Sequence, residues 1–344
     1  MTVTCVHDAR DDAAWEQFVQ SRQEACGYHT AAWGGLLNRV FGHTAYYLMV
    51  RDQEGQVRGV LPLVFMKSPL FGRFLTSMPF FNYGGVLFES AEARDALLDA
   101  AAETARGLEA THIELRQVAP LEIGWPVRSH KVSMRLELPQ RYEDLRKAFP
   151  SKLRSQVRRG EREGMTSRLG GLELLDDFYQ VFARNMRDLG TPVYGKGFFR
   201  EILRTFSKEA RICAVYLADR PVAAGFVIGF RQTLEIPWAS SDRRYARLAP
   251  NMALYNGVLQ YACTEGYREF DFGRSTVDSG TYRFKEQWGA KPLPLYWYYW
   301  LFEGTKLPEL NPQNPKYQLA IRMWQHLPVP VTQLVGPAIV KYLA

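Results

Sequence analysis

The chain has 344 residues, of which 47% are hydrophobic and 23% charged, and it carries a formal charge of +7. This composition excludes a disordered, collagenous or coiled-coil protein, and the length suggests about two domains at roughly 150 residues each. No apolar run approaches the ~20 residues that span a bilayer. No basic segment followed by an apolar one opens the chain, so the expectation is a soluble cytoplasmic protein without a secretory signal.

In chain order, Asp12–Arg22 is the first expected helix, with Trp15, Phe18 and Val19 on one face. A short helix follows over Ala31–Val40. Ala45–Arg51 and Val57–Met66 flank an Asp-Gln-Glu-Gly turn and are expected to form a hairpin. Phe71–Phe88 is aromatic and glycine-rich, centred on Asn82-Tyr83-Gly84-Gly85. Ala91–Leu108 is a helix by the recurrence of Leu97, Ala101, Ala105 and Leu108. His112–Gln117 and Lys131–Leu138 alternate like strands around a Trp125-Pro126 loop. Tyr142–Phe149 and Lys152–Glu163 are helical, broken at Pro150. Leu172–Leu189 is strongly amphipathic, and Phe198–Ser207 forms another helix. Arg211–Ala218, Val222–Phe230 and Thr233–Ala239 are strands. A helix opens at Pro250-Asn251 and runs to about Glu265. Glu269–Phe272 is a strand with Asp271 facing away from Phe270 and Phe272. Leu295–Phe302 is expected to close the second sheet.

The order of hairpin, helix and strand therefore occurs twice. It predicts an α/β protein with mixed sheets in two lobes of one kind. Residues 1–140 are the expected first lobe and 141–344 the second.

Several chemical motifs fail. Gly190–Lys196 fits the start of a phosphate-binding loop, but Gly197 stands where a Ser or Thr hydroxyl must hold Mg²⁺, and a helix precedes it. Neither GxGxxG nor GxSxG occurs, which argues against dinucleotide-binding and α/β-hydrolase chemistry. Cys5, Cys26, Cys213 and Cys263 form no CxxC pair and no zinc-ligand spacing, so no metal is expected.

Charge is concentrated between Arg141 and Arg168, which holds nine basic and four acidic residues. Arg154, Arg158 and Arg162 fall on one ridge of a helix. The ridge reads equally as a solvated face or as a phosphate-binding one. The run Arg244-Tyr-Ala-Arg247-Leu-Ala249 before the Pro250 helix compares with the acyl-CoA-binding turn of GNAT acetyltransferases, where helix N-terminal amides hold a pyrophosphate. Arg247 replaces the central glycine, and its Cβ obstructs close approach. The segment Asp271–Gly289 follows a strand and is rich in cations, the place where α/β sites usually lie. There Arg274, Arg283 and Lys285 can meet an anionic substrate or a developing oxyanion.

Leu61–Val64, Pro79–Gly85, Ser151–Gln156, Phe182–Tyr194, Pro221–Gly225, Ile236–Ser241, Asp271–Ser275 and Gly280–Gly289 together carry a resemblance to the FemAB-like transferases. It is nearest to the FemAB-related proteins of exosortase/PEP-CTERM systems. The resemblance implies two GNAT-like lobes with a cleft between them, the first on the acceptor side and the second on the donor side. It implies transfer of an acyl or aminoacyl group onto an amine of a cell-surface polysaccharide or cell-wall-type precursor. The lysine of the family's Tyr-x-Phe-Lys stretch is Lys285 here, placed to stabilise the tetrahedral intermediate. The acceptor segment maps to Asn82, Tyr83, Gly84 and Gly85, and Phe88 stands near where cell-wall members commonly have an acid.

On this reading Arg154 and Arg158 bind phosphate. Tyr194, Trp238, Ser240, Ser241, Arg274, Ser275, Tyr282 and Arg283 line the substrate site, and Asp242 is a general-base candidate. No tightly bound cofactor is expected. Acyl-CoA or aminoacyl-tRNA is the donor, tRNA contact comes through the donor, and DNA is not a partner. The acceptor is a small molecule or glycan precursor, including one at a membrane surface. The alternatives are an acyl-CoA-dependent N-acyltransferase acting on a small molecule or sugar nucleotide, and a non-catalytic GNAT-like protein that binds glycan or protein.

Overall fold

The computed structural model describes residues 1–5, 9–68, 72–308 and 315–343. The chain divides into two compact units. The first comprises Met1–Val132, Pro294–Glu309 and Tyr342–Ala344; the second comprises Ser133–Leu293 and Leu310–Lys341.

The first unit begins with β1 (Thr2–Cys5), α1 (Ala9–Ser21), α2 (Ala32–Phe41), β2 (Thr44–Arg51) and β3 (Val57–Ser68). It continues with β4 (Gly72–Thr76), β5 (Leu87–Phe88), α3 (Ala91–Gly107), β6 (His112–Gln117) and β7 (Val127–Arg128). Ser90 caps α3 by accepting a hydrogen bond from the Ala93 N–H at 3.3 Å. The small side chains Ala93, Ala101 and Ala105 let α3 lie close on the sheet, against Val50, Leu61, Leu63, Leu75, Ile113 and Leu115.

The second unit contains β8 (Lys131–Glu137), α4 (Tyr142–Ala148), α5 (Ser151–Arg162), β9 (Met165–Gly170), α6 (Leu175–Leu189) and α7 (Lys196–Thr205). Then come β10 (Ala210–Leu217), β11 (Arg220–Phe230), β12 (Thr233–Ser241), α8 (Pro250–Thr264), β13 (Glu269–Thr276), α9 (Gly280–Glu286) and β14 (Lys291–Pro294). The strand β15 (Tyr296–Leu301) returns to the first unit, and α10 (Pro315–His326) and α11 (Val329–Val340) belong to the second. Helix α8 is buried on most sides, through Leu254, Val258, Leu259, Ala262 and Cys263, which is why its sequence shows little amphipathic character.

The two sheets run β1-β2-β3-β4-β6-β15-β7, with β5 beside β3, and β14-β8-β13-β12-β11-β10-β9. In each, antiparallel neighbours lead to a parallel pair: β4 with β6, and β12 with β13. This is the expected α/β architecture of two mixed sheets, with two differences from the sequence expectation. The aromatic strand β15 completes the first sheet rather than the second, pairing Tyr298 with Leu115 and Trp300 with Ile113. Its run of six large residues has no polar face, so the pattern cannot say which sheet receives it. Strand β8, placed with the first lobe by sequence, lies in the second sheet beside β13. A single division at residue 140 would separate both strands from their sheets. Strand β9 and helix α9 were not expected either. The first is an exposed edge with no alternation, and the second is only seven residues long.

Candidate active site

Strands β12 and β13 pair only over Thr233–Glu235 and Glu269–Asp271. Beyond that point β12 continues to Ser241 and β13 to Thr276, so the strands part. A register shift near Ile236, opposite Phe226–Ile228, marks where β12 bends. Parting leaves backbone groups without ladder partners, and buried ones must find others.

Lys285 supplies two of those partners. It lies on α9, whose first turn is fixed by Ser279 accepting from the Tyr282 N–H at 3.2 Å. From there its Nζ reaches back to the carbonyls of Gly273 and Arg274, both at 2.9 Å. The side chain is buried, at 8% exposure, and has no third partner among the described residues. Burial pulls its pKa down to about 8 from the ordinary 10.5, against the opposing pull of the Asp271 and Glu235 carboxylates. An aromatic shell stands around α9. Trp288 meets Phe149 edge to face at 5.4 Å, and Tyr255 lies 5.1 Å from Phe284 and stacks on Phe272. Phe284 and Trp288 are therefore packing residues.

Asp271 and Glu235 are opposite one another in the β12–β13 register, and both are buried. Sequence reasoning passed over both. The available signal was Asp271-Phe-Gly273, an acid two residues before a glycine, which is a local-turn pattern set inside a strand. Ser275, a predicted substrate residue, is 4% exposed with its Oγ unpartnered among the described residues. Arg274 and Arg283 are exposed and Tyr282 is half-buried.

The diverging part of β12 carries the other predicted group. Trp238 is half-buried among Tyr194, Phe198, Phe199 and Phe226, with ring centroids 5.1–6.0 Å away. The Ser240 hydroxyl accepts from Asn185 Nδ2 at 3.1 Å, and Ser241 is half-buried.

The geometry speaks against Asp242 as a base. It caps a short turn over Arg243–Leu248, and Arg244 grips it through Nε and Nη2, the latter at 2.6 Å. Burial pushes its pKa up, but the Arg244 hydrogen bonds and the Arg184 charge outweigh that and hold it below the ordinary carboxylate value. A carboxylate held this way is a weak proton acceptor.

The GNAT-like turn ends in Ala249 at φ +56°, directly before Pro250 opens α8. The N–H groups of Tyr245 and Ala249 are already bonded within the turn.

On α5, Leu153 and Val157 are buried while Arg158 and Arg162 are exposed. Arg154 is instead turned to the Lys147 carbonyl at 3.1 Å, where it closes the end of α4. A concavity of about 490 Å³ on this helix is lined by Ser155, Gln156, Arg159, Arg162 and Glu163. Of the predicted ridge, Arg162 alone borders it.

In the first unit, Tyr83, Gly84 and Gly85 are buried and only Asn82 is half-exposed. Gly84 has φ +124°, and a Cβ on Gly85 would meet the Gln117 amide at 2.4 Å. Three of these four residues thus have a packing reason for their identity. Among the described residues no three His, Cys, Asp or Glu side chains are placed to hold a metal. No helix among them is long and apolar enough to cross a membrane.

The family model described as "Acetyltransferase (GNAT) domain" matches residues 147–286, the stretch that contains the parted strands and Lys285. The fold is similar to the crystal structure of FemX, with a TM-score of 0.67 at 16% identity over 93% of this chain and all of that one. A tandem GNAT protein from the clavulanic acid biosynthesis pathway aligns with a TM-score of 0.55 at 12% identity, over 89% of this chain and 99% of that one. L-PGS from Bacillus licheniformis gives 0.55 at 14% identity, over 96% and 97%. Comparison with curated protein sequences finds no match. The protein thus has a tandem GNAT-like fold, with a GNAT domain match in its second unit.

Proposed function

We propose that the protein is an acyl- or aminoacyltransferase that moves an activated acyl group onto an amine of a cell-surface polysaccharide or cell-wall-type precursor. One observation carries this reading: a buried lysine with donor capacity to spare stands where the two parallel strands of a GNAT domain part. The amine nitrogen attacks the donor carbonyl carbon and forms a C–N bond. The carbonyl oxygen takes the charge, and in this reading the third N–H of Lys285 donates to it. Collapse breaks the C–O or C–S bond, and the leaving oxygen or sulfur takes up a proton equivalent to the one the amine loses. A donor held in a site of low polarity stabilises such an oxyanion more than water does.

Trp238, Ser240, Ser241, Ser275 and Tyr194 are proposed to line the acyl-donor side, with Arg274, Tyr282 and Arg283 at its rim. Arg158 and Arg162, with Arg159, are proposed to meet donor or acceptor phosphate, and Asn82 is the residue of its segment left to contact an acceptor. The FemAB likeness favours an aminoacyl-tRNA donor. The GNAT domain match favours acyl-CoA as a second reading.

The deciding experiment incubates the protein with labelled aminoacyl-tRNA, acetyl-CoA and longer acyl-CoAs, each with amino-sugar nucleotides and lipid-linked precursors. Transfer by the wild type that falls about 10²–10³-fold in Lys285→Ala is expected. Tight binding of glycan without any transfer would instead identify a non-catalytic binding protein.

A further inference from the structure

Two consecutive carbonyls of a regular strand point to opposite sides, yet Gly273 and Arg274 both present theirs to one nitrogen at 2.9 Å. The reason lies two residues upstream. Asp271 Oδ1 accepts from the Gly273 N–H at 2.7 Å, a local bond that turns the peptide out of strand geometry. Gly273 takes φ +74°, a left-handed conformation that only glycine adopts without strain. The same Oδ1 accepts from the Ser133 hydroxyl at 2.7 Å, and Arg135 Nε lies 3.6 Å from Oδ2. Both partners come from β8, so the carboxylate is fixed from a neighbouring strand while it bends its own.

We infer that Asp271 is the positioning residue of the Lys285 site: pinned by Ser133, it builds the two-carbonyl cradle and keeps the buried amine charged. The inference rests on the role proposed for Lys285 above. Asp271 is 1% exposed, and a buried carboxylate acts on a nearby ammonium with little screening. The charged groups that act on Lys285 are Asp271 and Arg274 from β13 and Glu235 from β12. The two acids favour the ammonium, and Arg274 opposes it.

The test follows the ¹³Cε resonance of Lys285 through a pH titration of the full-length, ligand-free protein labelled at lysine, assigned by its loss in Lys285→Met. Asp271→Asn keeps an oxygen for Ser133 and Gly273 but removes the charge. It is expected to lower the midpoint by about one unit. Glu235→Gln should lower it less, and Arg274→Gln should raise it. A residue that merely held β13 in place would not produce this ordered set of opposite signs. In the transfer assay, the alkaline limb of kcat should move with the resonance.

An unchanged midpoint in folded Asp271→Asn overturns the inference. If that variant does not fold, Ser133→Ala replaces it: the carboxylate stays but loses its anchor, and a smaller downward shift is expected, with no shift counting against us. The titration needs no substrate. A normal rate in Lys285→Ala alongside shifted midpoints would therefore defeat the transferase reading and leave the positioning role of Asp271 standing.

Discussion

Each unit contains a parallel strand pair, and at the end of that pair a buried cation holds backbone carbonyls. In the first unit, β4 and β6 pair over Phe74–Thr76 and His112–Glu114, and the chain then turns inward. Met78 and Phe80 take φ +110° and +74°, conformations that cost L-residues of order 1–3 kcal/mol each. Arg116, 2% exposed, grips the carbonyls of Met78 and Phe81 through Nη1 and Glu114 through Nε and Nη2, and lies 4.5 Å from the Trp297 ring. Phe81 and Tyr83 fill the interior there, with Phe81 stacked on Tyr28 at 4.2 Å. In the second unit the corresponding cation is Lys285, which holds two carbonyls and keeps one N–H uncommitted among the described residues. A guanidinium is always charged and presents a rigid fork that can be satisfied entirely by protein. An ammonium near its pKa, with a donor unused, can still do something. The difference separates a strand pair whose cation is fully engaged by protein from one whose cation keeps a donor unused among the described residues.

Arg116→Met tests the fully engaged cation and should have the largest effect. It leaves two loop carbonyls unpaired and Glu114 with only the Tyr299 hydroxyl, at 2.9 Å, and removing one partner of a buried ion pair costs about 3–5 kcal/mol. Urea denaturation should show the loss; a change under about 1 kcal/mol would mean that the loop seals itself without the cation. Lys285→Ala should instead depress kcat about 10²–10³-fold, roughly 3–4 kcal/mol in the barrier. The unfolding midpoint should move much less than in Arg116→Met. A folded Lys285→Ala protein with kcat within about threefold of wild type would remove the contrast.

Gly84→Ala comes next. With φ +124° and Met78 Cγ at 2.5 Å from the added methyl, a stability loss of about 2–3 kcal/mol is expected. Thermal unfolding with transfer measured on the folded fraction separates that loss from any effect on chemistry.

The pH dependence sharpens the comparison further. With the Lys285 pKa lowered to about 8, an oxyanion donor loses its charge above that pH, so kcat should fall about tenfold per unit at higher pH. A rate that rises through pH 8 would make the neutral amine a base and overturn the oxyanion role. Stability should move the other way. The unfolded lysine holds its proton up to about pH 10.5 and the folded one only to about 8. The unfolded state therefore binds more protons between these values, and stability rises with pH across that window. Lys285→Met should abolish that slope. Smallest of all, Arg158→Ala should raise the donor or acceptor Kd modestly and flatten its salt dependence. A Kd indifferent to both salt and this substitution would make α5 a solvated face.

The sequence by itself determined the elements that repeat a period. The hairpins, α3 and α6, and the two strands β6 and β8, were readable within a few residues, because burial on one side imposes spacing on the chain; α8, buried on most sides, was readable from the Pro250 that opens it. It also pointed to Lys285, through a short polar segment after a strand. Tertiary structure alone decided the rest. Strand β15 is aromatic on both faces, so no alternation could assign it to a sheet. Tyr83, Gly84 and Gly85 were expected in a binding segment, and only three dimensions show that they are buried, with Met78 and Gln117 occupying the space beside the two glycines. Asp242 had the right chemistry for a base until Arg244 was seen to hold it. Asp271 and Ser133 are 138 residues apart in the chain. Nothing local signals their contact, because the bond exists only once β8 lies beside β13 and Gly273 has bent the strand. Periodicity is written residue by residue, whereas a site of this kind is made by which strands become neighbours.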